Sequence, residues 1–188
     1  AMQNDTLFDI ASNSKMFATN FALMKLVSEG KLDVEKPLFY YLPEFRGSGR
    51  EPRFVAAILT HSAGYPAVVD FHRKDNKFGE RFFSQNSLRT KNLLLTGVPF
   101  VAGRNVKHLY SDIDYMLLGV LVERISGMAL DTYVESQIYQ PLGLTQEDKE
   151  NLLSFVEAFS GEQIVIDEPK IPEYQPLFTQ EELAGAKK

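Results

Sequence analysis

The chain has 188 residues, of which 44% are hydrophobic, and this length and composition fit one globular domain with or without a tail. Its 20 basic and 25 acidic residues give a net charge of −5, which argues against the basic surface that nucleic-acid binding requires. The absence of cysteine excludes disulfides, thiolate metal sites and cysteine nucleophiles, and the three histidines have no metal-ligand spacing. No apolar run reaches the ~18 residues that a membrane-spanning helix needs. We therefore expect no cofactor, no nucleic-acid partner and no transmembrane segment.

The first predicted elements are a short strand and a long helix. Residues 5–10 have the β-favouring composition of a strand that ends just before Ser12. Residues 13–29 contain neither Gly nor Pro, and apolar side chains recur there at helical spacing around most of the circumference. This pattern predicts a central, buried helix. Gly30 follows where a left-handed residue would end the helix, and Leu32 can supply the apolar contact that accompanies such an end.

Four further helices are predicted along the chain. Each combines helical apolar spacing with a Gly or Pro shortly after its last turn: residues 54–60, 87–95, 113–126 and 131–139. Asp112 is predicted to be the N-cap of the third of these helices. Residues 70–86 are polar and predict irregular structure.

The sequence changes character after residue 144. Residues 145–148 resemble a capping box, and the amphipathic stripe that follows them ends at Gly161. Three prolines then predict an extended path to the end of the chain: Pro169, Pro172 and Pro176. We therefore divide the chain into a partial domain, residues 1–144, and a second segment, residues 145–188, with an amphipathic helix and a Pro-rich tail.

A hydroxyl and an amine lie three residues apart at the start of the first predicted helix. Ser12 and Lys15 would share one helical face, where a lysine of lowered pKa takes the serine proton and the helix N-terminus stabilises an oxyanion. The spacing alone is a weak signal, because Ser28 and Lys31 repeat it across Gly30. Without further context, an N-cap role for Ser12 and a solvated Lys15 explain the spacing more simply.

Several longer stretches, in matching order, resemble the serine β-lactamase and penicillin-binding protein superfamily, particularly its class C-like branch. The stretches resemble the nucleophile segment, the segment after its helix, the LLTHTSGLP signature, the Tyr-x-Asn motif with its helix, and the PLGL end: residues 8–15, 32–45, 59–66, 110–119 and 141–144. The resemblance covers about residues 5–144. It implies part of an α+β, β-lactamase/transpeptidase-like fold, truncated and predominantly helical in this chain.

The resemblance assigns roles to four residues. It implies that Ser12 is the acylated nucleophile, Lys15 its activating amine and Tyr110 a phenol that moves a proton to or from the leaving group. Asp112 stands in a substrate-binding position where the family usually has Asn. A carboxylate near Lys15 stabilises the ammonium form and shifts the proton transfer towards Tyr110. His61 is interpreted as structural, since neither of the other histidines is placed by the sequence to join it.

The implied activity is that of a serine acyl-enzyme hydrolase that acts on D-Ala-D-Ala peptides or β-lactam-like carbonyls, outside the cytoplasm and without a cofactor. The family's third motif, Lys-Thr-Gly or His-x-Gly on a strand, is absent from the sequence. Its absence predicts impaired turnover and leaves open the alternative of a non-catalytic helical binding or remnant domain. Without that strand, part of the apolar face of the first helix stays uncovered unless a second subunit or the helix after residue 144 packs there.

Overall fold

The computed structural model describes residues 11–144 and residue 148. This part of the chain is predominantly helical, as predicted. Its α-helices are α1, Phe21–Ser28; α2, Val55–Leu59; α3, Ser87–Thr96; α4, Asp112–Ser126; and α5, Leu130–Val134. Two π-helical segments, before α1 and after α5, and two short 3-10 helices complete the set: Lys15–Asn20, Glu135–Tyr139, Leu38–Tyr40 and Glu80–Phe82. All five predicted helices are confirmed. The strand predicted at residues 5–10 and, Asp148 apart, the segment predicted at residues 145–188 lie outside the described residues.

Helix α4 is the centre of the described core. It packs against α1, α2, α3 and α5, and its buried side chains recur at helical spacing on one side. The larger buried side chains are Ile113, Asp114, Leu117, Leu118, Leu121 and Val122. Gly127 ends α4 with φ +71°, the left-handed conformation expected of a glycine in this place. Among residues 11–144, no helix combines the length and apolar composition needed to cross a bilayer.

The N-terminus of α4 differs from the prediction. Ser111 is the N-cap, since its hydroxyl accepts the Ile113 N–H at 3.2 Å. The same hydroxyl donates to the Pro66 carbonyl at 2.6 Å. The predicted N-cap role of Asp112 is therefore wrong: Ser111 has the extended backbone of an N-cap, with φ −143° and ψ 127°, and Asp112 is the first helical residue. Asp112 is thus not engaged in capping its own helix.

The N-terminal helix, formed by the π-helical segment Lys15–Asn20 and α1, is buried on one side only. The side that packs towards α4 and α5 contains Thr19, Ala22, Leu23 and Leu26. The opposite side, which we call the apolar face, is exposed and consists of Met16, Phe17, Phe21, Met24 and Val27. The prediction of a central helix is therefore wrong for the described structure, because the apolar stripe is wider than the core on which it packs. The exposed apolar face agrees with the expectation that part of this helix stays uncovered.

Two tyrosine hydroxyls contact the π-helical segment Lys15–Asn20. In a π-helix each N–H bonds the carbonyl five residues earlier, a rare pattern that occurs mostly as single turns. Tyr139, in the π-helical segment after α5, donates to the Phe17 carbonyl at 3.1 Å. Tyr115 of α4 donates to the Asn20 side-chain oxygen at 3.0 Å. The segment is therefore anchored from two other elements of the core.

Two buried arginines donate hydrogen bonds to the loops that follow α2 and α3. Arg50 donates to the Val98 carbonyl at 2.8 Å, and Arg53 donates to the Ala63 carbonyl at 2.9 Å. The Arg53 guanidinium also lies 3.9 Å from the centre of the Phe100 ring. These contacts fix the loop that follows α2 against the loop that follows α3.

Gly64 marks the closest approach of these two loops. Its φ is +91°, and its carbonyl accepts the Val101 N–H at 2.9 Å. A Cβ at this position would lie 2.2 Å from the Ala102 carbonyl oxygen. Only glycine fits both the backbone conformation and the available space.

Candidate active site

Ser12 and Lys15 lie together where the N-terminal helix begins. Ala11, immediately before them, has φ +41°, a sparsely populated conformation for a residue with a Cβ. The Lys15 N–H donates to the Ser12 carbonyl at 3.0 Å, and Lys15 Nζ donates to Ser12 Oγ at 3.1 Å. Ser12 is exposed to solvent. The three-residue spacing therefore does bring the hydroxyl and the amine into contact.

Tyr110 reaches the same hydroxyl from a distant part of the chain. Its O–H donates to Ser12 Oγ at 2.7 Å, although the two residues are 98 positions apart. Lys15 Nζ lies 5.3 Å from the centre of the Tyr110 ring. About half of the Tyr110 side chain is exposed. Ser12 Oγ thus accepts one hydrogen bond from an amine and one from a phenol while staying accessible to solvent.

Asp112 completes the group through an ion pair with Lys15. Its Oδ1 lies 2.8 Å from Lys15 Nζ. Partial burial alone would lower the pKa of Lys15, but hydrogen bonds with Asp112 and Tyr110 outweigh it and raise the pKa above its ordinary value of 10.5. The hydrogen bond with Ser12, and then the one with Lys15, lowers the pKa of Tyr110 below its ordinary value of 10.0. The phenol therefore loses its proton at lower pH than the ammonium does.

A buried histidine and a buried aspartate lie behind Tyr110. His61 Nδ1 is 3.0 Å from Asp114 Oδ2 and accepts the Ser111 N–H at 3.2 Å. The His61 ring packs on the Tyr110 ring, with centroids 4.6 Å apart. The His108 ring lies 6.0 Å from that of His61, a proximity that the sequence did not indicate.

Sequence reasoning missed Asp114, although a signal for it was present. Asp114 shares the apolar side of α4 with Leu117, Leu118 and Leu121, at helical spacings of three, four and seven residues. A carboxyl group on a buried helical face needs a hydrogen-bonding partner. The pattern therefore indicated a buried polar contact, but not that His61 would supply it.

Comparison with known sequences decides the family. A sequence model described as Beta-lactamase matches residues 1–146, a stretch that contains Ser12, Lys15, Tyr110 and Asp112. The chain belongs to the Beta-lactamase family. The resemblance stated from the sequence motifs is thereby confirmed.

Curated relatives of this Beta-lactamase family member come from Salmonella. A protein of Salmonella schwarzengrund named "Putative D-alanyl-D-alanine carboxypeptidase" is 44% identical over 146 residues, and one of the same name from Salmonella agona is 43% identical over 146 residues. Each comparison covers 74% of this chain and 33% of the relative. The chain therefore spans about a third of the length of the curated relatives that it matches.

Solved structures of the family share the fold. A penicillin binding protein from Bacillus halodurans is 29% identical, with a TM-score of 0.56 over 75% of this chain and 43% of that one. A class C beta lactamase is 25% identical, with a TM-score of 0.60 over 79% of this chain and 40% of that one. The predicted β-lactamase/transpeptidase-like fold, partial and mostly helical in the described residues, is confirmed.

The chemistry that the site of this Beta-lactamase family member offers is proton transfer around a hydroxyl. In the described part of the chain, no group of three or more His, Asp and Glu side chains could hold a metal ion. Ser12 Oγ is in hydrogen-bond contact with two groups whose conjugate bases can accept its proton, Lys15 and Tyr110. The ion pair with Asp112 favours the phenol for this purpose, because it keeps Lys15 protonated.

Proposed function

We propose that this chain carries the nucleophile of a serine acyl-enzyme hydrolase that acts on D-Ala-D-Ala peptides or β-lactam-like carbonyls. The observation that carries the proposal is the contact of Ser12 Oγ with Lys15 Nζ at 3.1 Å and with the Tyr110 hydroxyl at 2.7 Å. An exposed hydroxyl beside groups that can take its proton is what nucleophilic catalysis requires. The names of the curated relatives support the D-Ala-D-Ala substrate class. Since these peptides belong to peptidoglycan, we place the reaction outside the cytoplasm.

In the proposed acylation, Ser12 Oγ attacks the carbonyl carbon and its proton passes to the Tyr110 phenolate. The Lys15 ammonium stabilises the phenolate, and Asp112 holds Lys15 in its charged form. Tyr110 then gives the proton to the departing amine, which leaves an ester between Ser12 and the acyl group. Attack of water on this ester, with Tyr110 again taking and returning the proton, restores the hydroxyl. Asp112, at the edge of the site, is the proposed substrate-binding residue.

The rival hypothesis is a non-catalytic helical binding or remnant domain, in which Ser12, Lys15 and Tyr110 have only structural roles. The two hypotheses differ in one measurable property, which is whether Ser12 forms a covalent acyl adduct. We expect a fluorescent penicillin or a fluorophosphonate to add to the wild-type chain in intact-protein mass spectrometry. Peptide mapping should place the adduct on Ser12, and Ser12→Ala should abolish it.

Two exposed serines serve as matched controls. Ser14 lies two residues after Ser12 at the start of the helix, and Ser28 repeats the spacing to a lysine at the far end of the helix. Ser14→Ala and Ser28→Ala should therefore be labelled at the wild-type rate. Equal labelling of the wild type and Ser12→Ala would disprove the proposed function and favour the non-catalytic hypothesis.

A further inference from the structure

A single residue, His61, contacts Tyr110 and the backbone on both sides of it. The His61 carbonyl accepts the Leu109 N–H at 2.8 Å, and His61 Nδ1 accepts the Ser111 N–H at 3.2 Å. The His61 ring lies against the Tyr110 ring, with centroids 4.6 Å apart. Because the two N–H groups flank Tyr110 in the chain, the position of His61 determines both the backbone and the ring of Tyr110.

His61 is in turn anchored by Asp114. Asp114 Oδ2 lies 3.0 Å from His61 Nδ1, and the Asp114 side chain is 1% exposed. Its other oxygen, Oδ1, is buried with no hydrogen-bond partner in the described structure. An ionised carboxylate with an unpaired buried oxygen would be costly, whereas a protonated carboxyl group tolerates this environment better.

The hydrogen bonds also locate the proton between the two side chains. An imidazole nitrogen either donates or accepts, according to whether it carries a proton. His61 Nδ1 accepts the Ser111 N–H, so it carries no proton. Its single lone pair is then shared between the Ser111 N–H at 3.2 Å and, across the 3.0 Å contact, the O–H of a protonated Asp114. The pair is therefore neutral, with Asp114 as the donor.

We propose that protonated Asp114 and neutral His61 are positioning residues that hold Tyr110 against Ser12. This inference rests on the proposed role of Tyr110 in proton transfer. Loss of the Asp114 proton would require His61 to carry its own proton on Nδ1, facing the carboxylate, and the Ser111 N–H would lose its acceptor. The peptide between Tyr110 and Ser111 would then be released, and the phenol would leave its place beside Ser12. The pair thereby makes the placement of Tyr110 depend on pH.

The surroundings of the pair favour its neutral form. Burial raises the pKa of Asp114 to about 8. Burial also lowers the pKa of His61, and nearby His108 and Lys15 lower it further, against an opposing effect of Asp112. The titratable groups that face the pair are Lys15 on the N-terminal helix, Tyr65 after α2, His108 and Tyr110 before α4, and Asp112 and Tyr115 on α4.

The test compares Asp114→Asn with the wild type across pH. The asparagine amide can donate to His61 Nδ1 as a protonated carboxyl group does, but it cannot ionise. We expect the two proteins to be acylated by fluorescent penicillin at similar rates at pH 6.5. By pH 9.5 the wild type should be fivefold to tenfold slower than Asp114→Asn, with a midpoint near pH 8. Taking the ratio of the two rates cancels titrations that both proteins share, such as that of Tyr110.

Asp75→Asn is the matched control, because it removes a carboxylate from an exposed loop. It should follow the wild type at every pH. Asp114→Ala, which removes the donor, should be slower at pH 6.5, and the rate should recover in Asp114→Asn. A ratio of wild type to Asp114→Asn that stays constant from pH 6.5 to 9.5 would overturn the inference. A labelling rate more than tenfold lower in Asp114→Asn at pH 6.5 would also overturn it, because that result would mean that the wild type needs an ionised carboxylate that accepts a hydrogen bond from His61.

Nitrogen NMR of the histidine rings decides the matter independently of acylation. We expect His61 Nδ1 to carry no proton at pH 6.5 in the wild type, and to gain one as the pH rises towards 9.5. In Asp114→Asn it should stay unprotonated throughout. A protonated Nδ1 at pH 6.5 in the wild type overturns the inference even if Ser12 is labelled normally. Failure to label Ser12 in any variant would instead count against the proposed function.

Discussion

Replacing Asp112 by Asn removes the charge that Lys15 faces at 2.8 Å. Two unit charges 4 Å apart attract by about 1 kcal/mol in water and about 4 kcal/mol at an effective dielectric constant of 20. Because the Asp112 side chain is 45% exposed and that of Lys15 is 18% exposed, the attraction between their charges lies at the lower end of this range, about 1 kcal/mol. With Asn at this position Lys15 stays protonated at pH 7, and its charge, no longer offset by the carboxylate, stabilises the Tyr110 phenolate that takes the Ser12 proton. Since 1.4 kcal/mol corresponds to tenfold in rate, acylation of Ser12 should become about fivefold faster at pH 7.

The assay is the rate of Ser12 labelling by fluorescent penicillin between pH 6 and 9, with Asp75→Asn as the control for removal of an exposed carboxylate. Asp112 also lies at the positive N-terminus of α4, so its replacement should cost about 0.3–1 kcal/mol of stability. The expected variant is thus slightly less stable and more reactive. An unchanged or lower labelling rate across this pH range, in a folded variant, would refute the reasoning.

Three further outcomes are expected. The third motif, which in the resembled family supplies a second oxyanion donor, is absent from these 188 residues, and lack of one such donor typically costs about 10²- to 10³-fold in rate. Hydrolysis of nitrocefin and of p-nitrophenyl acetate by this chain should therefore barely exceed that of Ser12→Ala, and turnover within tenfold of ordinary family members would contradict this. Gly64→Ala should lower the free energy of unfolding in urea titrations by about 2–4 kcal/mol, because its Cβ would lie 2.2 Å from the Ala102 carbonyl oxygen. Gly30→Ala, which has open space around the new Cβ, should lower it by about 1 kcal/mol. The folded pKa of Asp114, about 8, exceeds its unfolded value of about 3.9, so the stability that this group contributes is full below pH 4 and is lost as the pH rises to about 8. In a plot of unfolding free energy against pH, Asp114→Asn should remove this decrease. Parallel plots for the variant and the wild type would argue against a protonated Asp114.

Features with a local cause could be predicted from the sequence. Gly30 and Gly127 end their helices with φ of +67° and +71°, because each stands directly after an apolar helical pattern. Ser12 and Lys15 meet because a helical start places side chains three residues apart on one face. In these cases the interacting residues are neighbours in the chain.

The remaining features depend on contacts or choices that the local pattern does not specify. Asp114 and His61 are 53 positions apart, and nothing in either segment indicates the other as its partner. Ser111 and Asp112 are both favourable N-cap residues in adjacent positions, and the backbone around Pro66 selects Ser111. Periodicity alone predicted a central helix and not the exposed apolar face, because it counts apolar side chains and does not show what lies across from them; the expectation of an uncovered part came from the absent third motif.

The π-helical turn at Lys15–Asn20 rotates the site residues around the helix axis relative to the core residues. A π turn amounts to one residue inserted into an α-helix, and each residue of an α-helix advances by about 100°. Ser12 and Lys15 are therefore rotated by about one residue relative to Leu23 and Leu26, compared with an uninterrupted α-helix. The register of the buried residues can thus be selected for packing, and that of the reactive residues for chemistry. A one-residue deletion after Lys15 in this turn would keep both sets of side chains and still rotate Ser12 and Lys15 together away from Tyr110 and Asp112.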